Sequence, residues 1–237
     1  MKDVIYHNTL SELMKEISPV FLEPKRYTML IARKDLSDED YEEMVKNRIN
    51  TAKYIINENK DNAQRYAMSV VFGHELTHGF DPEGANYDAK GVKINWWTNE
   101  DMANFKLLQQ KMIARYNELE QLPGVKADGE KTLAENIADQ GGTALAYDLW
   151  NEKLQADGLS GEQLRHQQRQ FFVSNADVWR RYCTDERLAY TLKTDVHSAN
   201  HNRVNGIMRL MDEWYDLFGV KPGDKLYVAP ADRVKIW

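Results

Sequence analysis

His74-Glu75-Leu76-Thr77-His78 sets two imidazoles four positions apart with a carboxylate between them. On a helix, residues i and i+4 share a face, so both rings can address one ion while Glu75 projects from the adjacent position. Zinc accepts neutral imidazole, and a catalytic zinc site uses three protein ligands and keeps the fourth position for water. Glu75 then reads as the base that takes a proton as zinc-bound water, its pKa lowered to about 7, attacks a carbonyl. The pattern is a signature of metalloprotease chemistry. Its flanks suit a helix: the apolar run Tyr66-Ala-Met-Ser-Val-Val-Phe72 leads into it, and Gly79 reads as its terminator.

Two histidines leave such a site one ligand short. The candidate is Glu135, in Thr132-Leu-Ala-Glu-Asn-Ile-Ala-Asp-Gln-Gly-Gly142. This segment is helical by composition, Glu135 and Asp139 share a face, and Leu133, Ile137, Ala138, Leu145 and Leu149 supply an apolar stripe. A glutamate there can ligate zinc, and an aspartate one turn later can hydrogen-bond a ligand histidine and fix its tautomer. By spacing alone, a solvated acidic face is the commoner explanation of such a pair.

Val71-Phe-Gly-His-Glu-Leu-Thr-His-Gly-Phe-Asp81, Asn95-Trp-Trp-Thr98, Glu135-Asn-Ile-Ala-Asp139 and Lys193-Thr-Asp-Val-His-Ser198, in that order, resemble the catalytic domain of the neprilysin and endothelin-converting-enzyme family of zinc metallopeptidases, including its bacterial oligopeptidases. The resemblance covers roughly residues 66–237. It implies that His74, His78 and Glu135 bind Zn2+, that Glu75 is the catalytic base, and that Asp139 orients a zinc histidine. It further implies that His197 donates to the oxyanion of the tetrahedral intermediate and that Arg203 binds a backbone carbonyl of the substrate. An N–H aimed at developing negative charge is worth about 3 kcal/mol, and a guanidinium fork fixes a carbonyl in register.

Without the resemblance, His197 and His201 read as surface or locally hydrogen-bonded groups and Arg203 as a surface arginine at a helix start. His7 and His166 match no motif and read as solvent-facing. Trp96-Trp97 reads as packing surface.

The 237 residues, 42% of them apolar, can build one large domain or two small ones. A net charge of −6 with interspersed signs gives no nucleic-acid footprint, and the resemblance implies a peptide substrate as the partner. Cys183, the single cysteine, allows no internal disulfide. No signal-peptide pattern and no membrane-spanning run is present, which fits a cytoplasmic or periplasmic bacterial protein. Extracellular members of the resembled family are usually membrane-anchored and disulfide-rich. Here Val234 stands where the family has a cysteine near the carboxyl end.

The coarse pattern is mostly helical. Ser37-x-x-Asp40 resembles a capping box opening a helix to about Asn59, Thr98-x-x-Asp101 opens one to about Glu120, and Ser160-x-x-Gln163 opens a third. The stripe Val204, Ile207, Met208, Met211, Trp214 and Leu217 or Phe218 predicts a fourth, closed by Gly219. Tyr27–Ala32 is the clearest strand, with Val92–Ile94 and Leu226–Val228 as short ones.

Residues 1–65 read as a divergent strand-plus-helix segment packing on the catalytic domain of residues 66–237. The family's long helical cap over the active site does not fit in so short a segment, and its substrate-pairing Asn-Ala-aromatic-Tyr strand has no copy. Asn62-Ala63 lies only 12 positions before His74. Tyr27–Ala32 could replace that strand as an edge beside the zinc, because strand addition depends on main-chain groups more than on particular side chains.

The expected fold is therefore α+β and predominantly α-helical, a thermolysin-like zincin catalytic domain with a small edge sheet. The expected function is zinc-dependent hydrolysis of short peptides on the amino side of apolar residues. The alternatives are a zinc-binding family member that is weakly active or inactive alone and serves as a partner or regulatory domain, and a scaffolding domain with a structural metal. Glu75, His197 and Arg203 favour catalysis, since a structural metal needs none of them.

Overall fold

The computed structural model describes residues 63–88, 91–95 and 97–236. The strand at Tyr27–Ala32, the helix from Ser37 to Asn59, His7 and Trp96 lie outside the described residues. The chain divides into two compact units, Met1–Lys60 with Asn86–Trp96, and Asp61–Ala85 with Trp97–Trp237. In the first, the described residues form a tight turn: Tyr87 bridges Lys93, and the amide of Ile94 donates to the Asn86 carbonyl at 3.0 Å. Val92–Ile94 is thus one isolated bridge and not the expected strand.

The second unit is mostly helical. Helix α1 (Ala63–Thr77) carries the histidine motif and passes into a 3-10 turn at His78–Phe80. Helix α2 (Asn99–Asn117) is followed by strands β1 (Glu120–Leu122) and β2 (Val125–Lys126), and then by α3 (Leu133–Ala156). Helices α4 (Gly161–Val178), α5 (Asp185–Thr194), α6 (Asn200–Met208) and α7 (Asp212–Phe218) complete it. No described helix is long and apolar enough to cross a membrane.

Helix α3 is the central member. It packs on α1 most extensively and also on α2, α4 and α6. Its expected stripe is buried at Leu133, Ile137, Ala138 and Leu149, while Leu145 is half-buried. The α1–α3 crossing is a backbone contact. A Cβ on Gly142 would lie 2.4 Å from the His74 amide nitrogen and 2.5 Å from the Val70 carbonyl oxygen, and one on Gly73 would lie 2.6 Å from the Gly142 Cα. Each glycine weakens its helix by about 1 kcal/mol relative to alanine, and the gain is a distance no side chain would allow. Glu135, Asp139 and Gly142 follow the i, i+4, i+7 pattern of one helix face, so the close crossing also brings both carboxylates onto α1. The carboxyl end is fastened to α3 as well: the Gln140 amide donates to the Val234 carbonyl at 2.6 Å and accepts from the Ile236 amide at 3.0 Å. Val234 itself is buried.

Thr98 caps α2 as its sequence predicts, its hydroxyl oxygen accepting from the Asp101 amide at 3.1 Å. That helix stops at Asn117, short of Glu120, because Pro123-Gly124 turns the following residues into the β1–β2 hairpin, with Gly124 at φ +77°. The single helix expected through Val204–Phe218 is two. Between them Leu210 and Met211 make tight i to i−3 bonds, and the Arg209 carbonyl accepts from the Tyr215 hydroxyl at 2.8 Å instead of continuing the helix. Gly219 closes α7 in the left-handed region, at φ 66°. Leu226–Val228 forms no strand, since the Val228 amide is taken by the Tyr215 hydroxyl at 2.8 Å. Helix α5, capped by Thr184, was not expected from the sequence.

Candidate metal centre

Three histidines converge on one oxygen. His74 Nε2 lies 3.1 Å, His78 Nε2 3.6 Å and His197 Nε2 3.0 Å from Glu135 Oε2. His74 and His78 come from α1 and the turn that ends it, Glu135 from the first turn of α3, and His197 from the loop between α5 and α6.

Each ring is held at its other nitrogen by a carboxylate. His74 Nδ1 donates to Asp139 Oδ1 at 2.8 Å, His78 Nδ1 to Asp81 Oδ2 at 2.8 Å, and His197 Nδ1 to Asp195 Oδ1 at 2.6 Å. Asp81 is itself fixed, its Oδ1 accepting the amides of Glu83 and Gly84 at 2.7 Å each. With Nδ1 protonated, each neutral ring presents a lone pair at Nε2. His74 and His78 then face each other, Nε2 to Nε2, at 3.0 Å. Glu135 Oε2 is buried and makes no directed hydrogen bond. Lone pairs of two imidazoles and a carboxylate aimed at one point repel unless a cation or protons lie among them.

The donor set fits zinc. Metal–ligand lengths near 2.0–2.1 Å put tetrahedral ligands about 3.3 Å apart, the range spanned by the His74, His78 and Glu135 contacts. A second group, His74, Glu135 and His197, also has its ligand atoms within 4.8 Å of one another. The two groups share His74 and Glu135. His197 differs from His78 in coming from a loop, with its side chain 38% exposed.

The electrostatics have one cause throughout. Four carboxylates, from Glu135, Asp139, Asp81 and Asp195, surround three imidazoles and a single guanidinium, so the cluster attracts positive charge. Burial opposes protonation of His78, yet Asp81 and Glu135 overcome it and raise its pKa to about 10. His74 is likewise raised against its burial, by Asp139 and Glu135, and His197 is raised by Glu135 and, against its burial, by Asp195. Burial would lift Glu135, but the three histidines hold it far below the usual carboxylate range. The field that raises these imidazoles would also draw in a divalent cation.

Arg203, on α6, grips Asp139 with two bonds, Nε to Oδ2 at 2.8 Å and Nη2 to Oδ1 at 2.7 Å. Its guanidinium stacks 3.9 Å from the centre of the Trp179 ring. Trp179, Arg203 and His197 line one cavity of about 750 Å³, with Leu188, Leu192 and Val204 among its apolar walls. Glu75 follows His74 on α1 and is half-buried.

The structure therefore brings His74, His78, Glu135, Asp139, His197 and Arg203 together. His201 is exposed, with Nε2 donating to the Glu120 carbonyl at 3.0 Å, and His166 is exposed. Trp97 is a packing residue, stacked on Phe105 with ring centres 5.1 Å apart. Sequence reasoning missed Asp81 and Asp195 as ring anchors. Their signal was present in the short spacings His78-x-x-Asp81 and Asp195-x-His197. It also missed Trp179, which no spacing links to Arg203.

The pattern of the family described as Peptidase family M13 matches residues 51–234. Human neprilysin is 34% identical over 176 residues, which are 72% of this chain and 23% of that protein. The neutral endopeptidase of Lactococcus lactis is 34% identical over 179 residues, 75% of this chain and 27% of that protein. The chain thus spans about a quarter of the length of these relatives. Among solved structures, the Mycobacterium tuberculosis zinc metalloprotease ZMP1 in complex with inhibitor superposes with a TM-score of 0.67 at 32% identity, covering 75% of this chain and 28% of that one. PepO from Lactobacillus rhamnosis gives 0.65 at 32% identity, covering 76% of this chain and 27% of that one.

Proposed function

The chain belongs to peptidase family M13, and from that premise we propose that it is a zinc-dependent peptidase that hydrolyses short peptides on the amino side of apolar residues. The observation that carries this reading is the convergence of His74, His78 and Glu135 on one point, with every imidazole anchored from behind.

His74, His78 and Glu135 would hold the zinc. Bound there, zinc would polarise the scissile carbonyl and lower the pKa of a water to about 7. Glu75 accepts the proton of the attacking water and returns it to the leaving amine. His197, whose pKa Glu135 and, against its burial, Asp195 raise, keeps Nδ1–H on Asp195 and in its protonated form offers Nε2–H to the oxyanion. Asp139 holds the His74 ring and the Arg203 fork. Nη1 of Arg203, which makes no hydrogen bond among the described residues, is the donor left for a substrate carbonyl. The apolar walls of the adjoining cavity suit an apolar side chain beyond the scissile bond.

The test is bound zinc and hydrolysis of a fluorogenic peptide panel, with and without chelator, in the wild type and in Glu75→Gln. Glu75→Gln keeps its zinc and loses about 10²- to 10⁴-fold in kcat. Zinc retained by a wild type that cleaves no peptide of a broad panel would overturn the peptidase reading and leave a metal-binding chain.

A further inference from the structure

We propose that Asn136 and Ser198 form a buried strut that positions His197 against Glu135; the proposal rests on the reading that His197 acts in peptide hydrolysis. The anchor at the ring itself, the 2.6 Å bond to Asp195, is open to solvent, since the side chains of His197 and Asp195 are 38% and 40% exposed, and exposed pairs contribute little by themselves. The residues that follow are different. Ser198, Ala199 and Asn202 are buried, and Ser198 Oγ donates to Oδ1 of the fully buried Asn136 at 2.8 Å.

Asn136 follows Glu135 on α3. One hydrogen bond therefore joins the residue after His197 to the residue after Glu135, alongside the 3.0 Å contact between the two functional groups. The strut is braced at its foot, where Asn136 Nδ2 donates to Thr132 Oγ1 at 2.8 Å and Thr132 Oγ1 donates to the Asp128 carbonyl at 2.8 Å. The hairpin pins the loop from another side. The Ala199 amide donates to Gln121 Oε1 at 2.9 Å, and Asn202 Nδ2 donates to the Glu120 carbonyl at 3.1 Å. Removing the Ser198 hydroxyl strands the fully buried Asn136 oxygen without its partner, a cost that a shift of the loop would relieve. Displacements of about 1 Å at a reacting group can cost about 10²-fold in rate.

Ser198→Ala, Ser198→Cys and Ser198→Thr, prepared in the full zinc-loaded chain, test the strut through zinc content, kcat, KM and the ring ¹⁵N and ¹H shifts of His197. Ser198→Ala should keep its zinc and lose about ten- to a hundredfold in kcat with KM little changed. Ser198→Thr, which keeps the hydroxyl, should restore kcat, and Ser198→Cys, nearly isosteric with a weaker donor, should fall between. The His197 ring signals should move in the alanine variant and return in the threonine one, while those of exposed His166 stay fixed. Wild-type kcat in Ser198→Ala, or His197 signals unmoved by it, overturns the proposal. A wild type without peptidase activity would sink the functional reading alone, because the ring shifts still decide whether Ser198 sets His197.

Discussion

Gly73 on α1 and Gly142 on α3 meet backbone to backbone, and this contact sets how closely His74 approaches Glu135. Alanine at position 142 would gain about 1 kcal/mol of helix propensity, but its methyl group would meet the His74 amide nitrogen at 2.4 Å. Backbone cannot swing aside as a side-chain end can, and overpacking of this kind costs about 1–3 kcal/mol. Gly142→Ala should therefore lower the denaturation midpoint and weaken zinc binding together. Gly79→Ala, with nothing within 4 Å of its added carbon, is the control that should leave both near wild type. Equal midpoints and equal zinc affinity for Gly142→Ala would show that the crossing tolerates a wider spacing.

Asp139 serves two donors at once, the His74 ring and the Arg203 fork. Asp139→Ala leaves the Arg203 guanidinium buried beside Trp179 without its partner, a loss of about 3–5 kcal/mol. Asp139→Asn keeps shape and one acceptor, so it should fold and bind zinc about ten- to a hundredfold more weakly, as loss of an outer partner to a ligand histidine does. Urea unfolding together with zinc competition separates the two outcomes. An asparagine variant with wild-type zinc affinity would remove Asp139 from the site.

The paired histidines and Glu135-x-x-x-Asp139 were legible in the sequence because helical spacing is periodic, and a face four residues apart is the same face wherever the helix packs. What brings the two faces together was not, because Gly73 and Gly142 carry no periodic signal until both helices are in place. The break at Arg209–Met211 was hidden for a related reason. The apolar stripe runs through it unbroken, and only the Tyr215 hydroxyl, six residues on, draws the Arg209 carbonyl out of the helix. The apolar and turn residues around Pro123 were visible, yet a helix end and a short hairpin share the same proline and glycine. Asp195 and His197 were read together as a motif, but the Ser198–Asn136 bond spans 62 positions and no local rule reports it.

Zinc affinity should rise with pH. His78, raised to about 10 by Asp81 and Glu135 against its burial, carries a proton at neutral pH that zinc must displace, and His74 is raised in the same direction. Each displaced proton makes the apparent affinity climb about tenfold per pH unit below the relevant pKa. Glu135, held far below its usual range, stays ionised and adds no slope. For the metal-free protein the sign is opposite. The folded pKa of His78 exceeds its ordinary 6.5, so its contribution to stability is full below about 6.5 and fades as pH climbs toward about 10. The gap in Tm between zinc-loaded and metal-free protein should widen from pH 6.5 to 9. A flat zinc affinity over that range would mean that the histidines are neutral before the metal arrives.

His78 and His197 compete for the third ligand position, and removing each in turn assigns it. Both Nε2 atoms approach Glu135 Oε2, at 3.6 Å and 3.0 Å, so distance to that oxygen does not decide between them. The supports of the two rings do. His78 follows α1 directly, its Nε2 is 3.0 Å from that of His74, and its anchor Asp81 is buried and locked by two backbone amides. His197 stands on a loop with a half-exposed anchor and faces the cavity that also borders Arg203. A rigid imidazole on a buried anchor suits a metal, whereas a ring N–H at a cavity wall suits a developing anion. His78→Ala should therefore lose more zinc affinity than the about 10- to 100-fold that an outer partner costs. His197→Ala should keep its zinc and lose about 10²- to 10³-fold in kcat. The reverse pattern, zinc lost with His197 and kept with His78, would make the loop histidine the ligand and leave His78 as the proton donor.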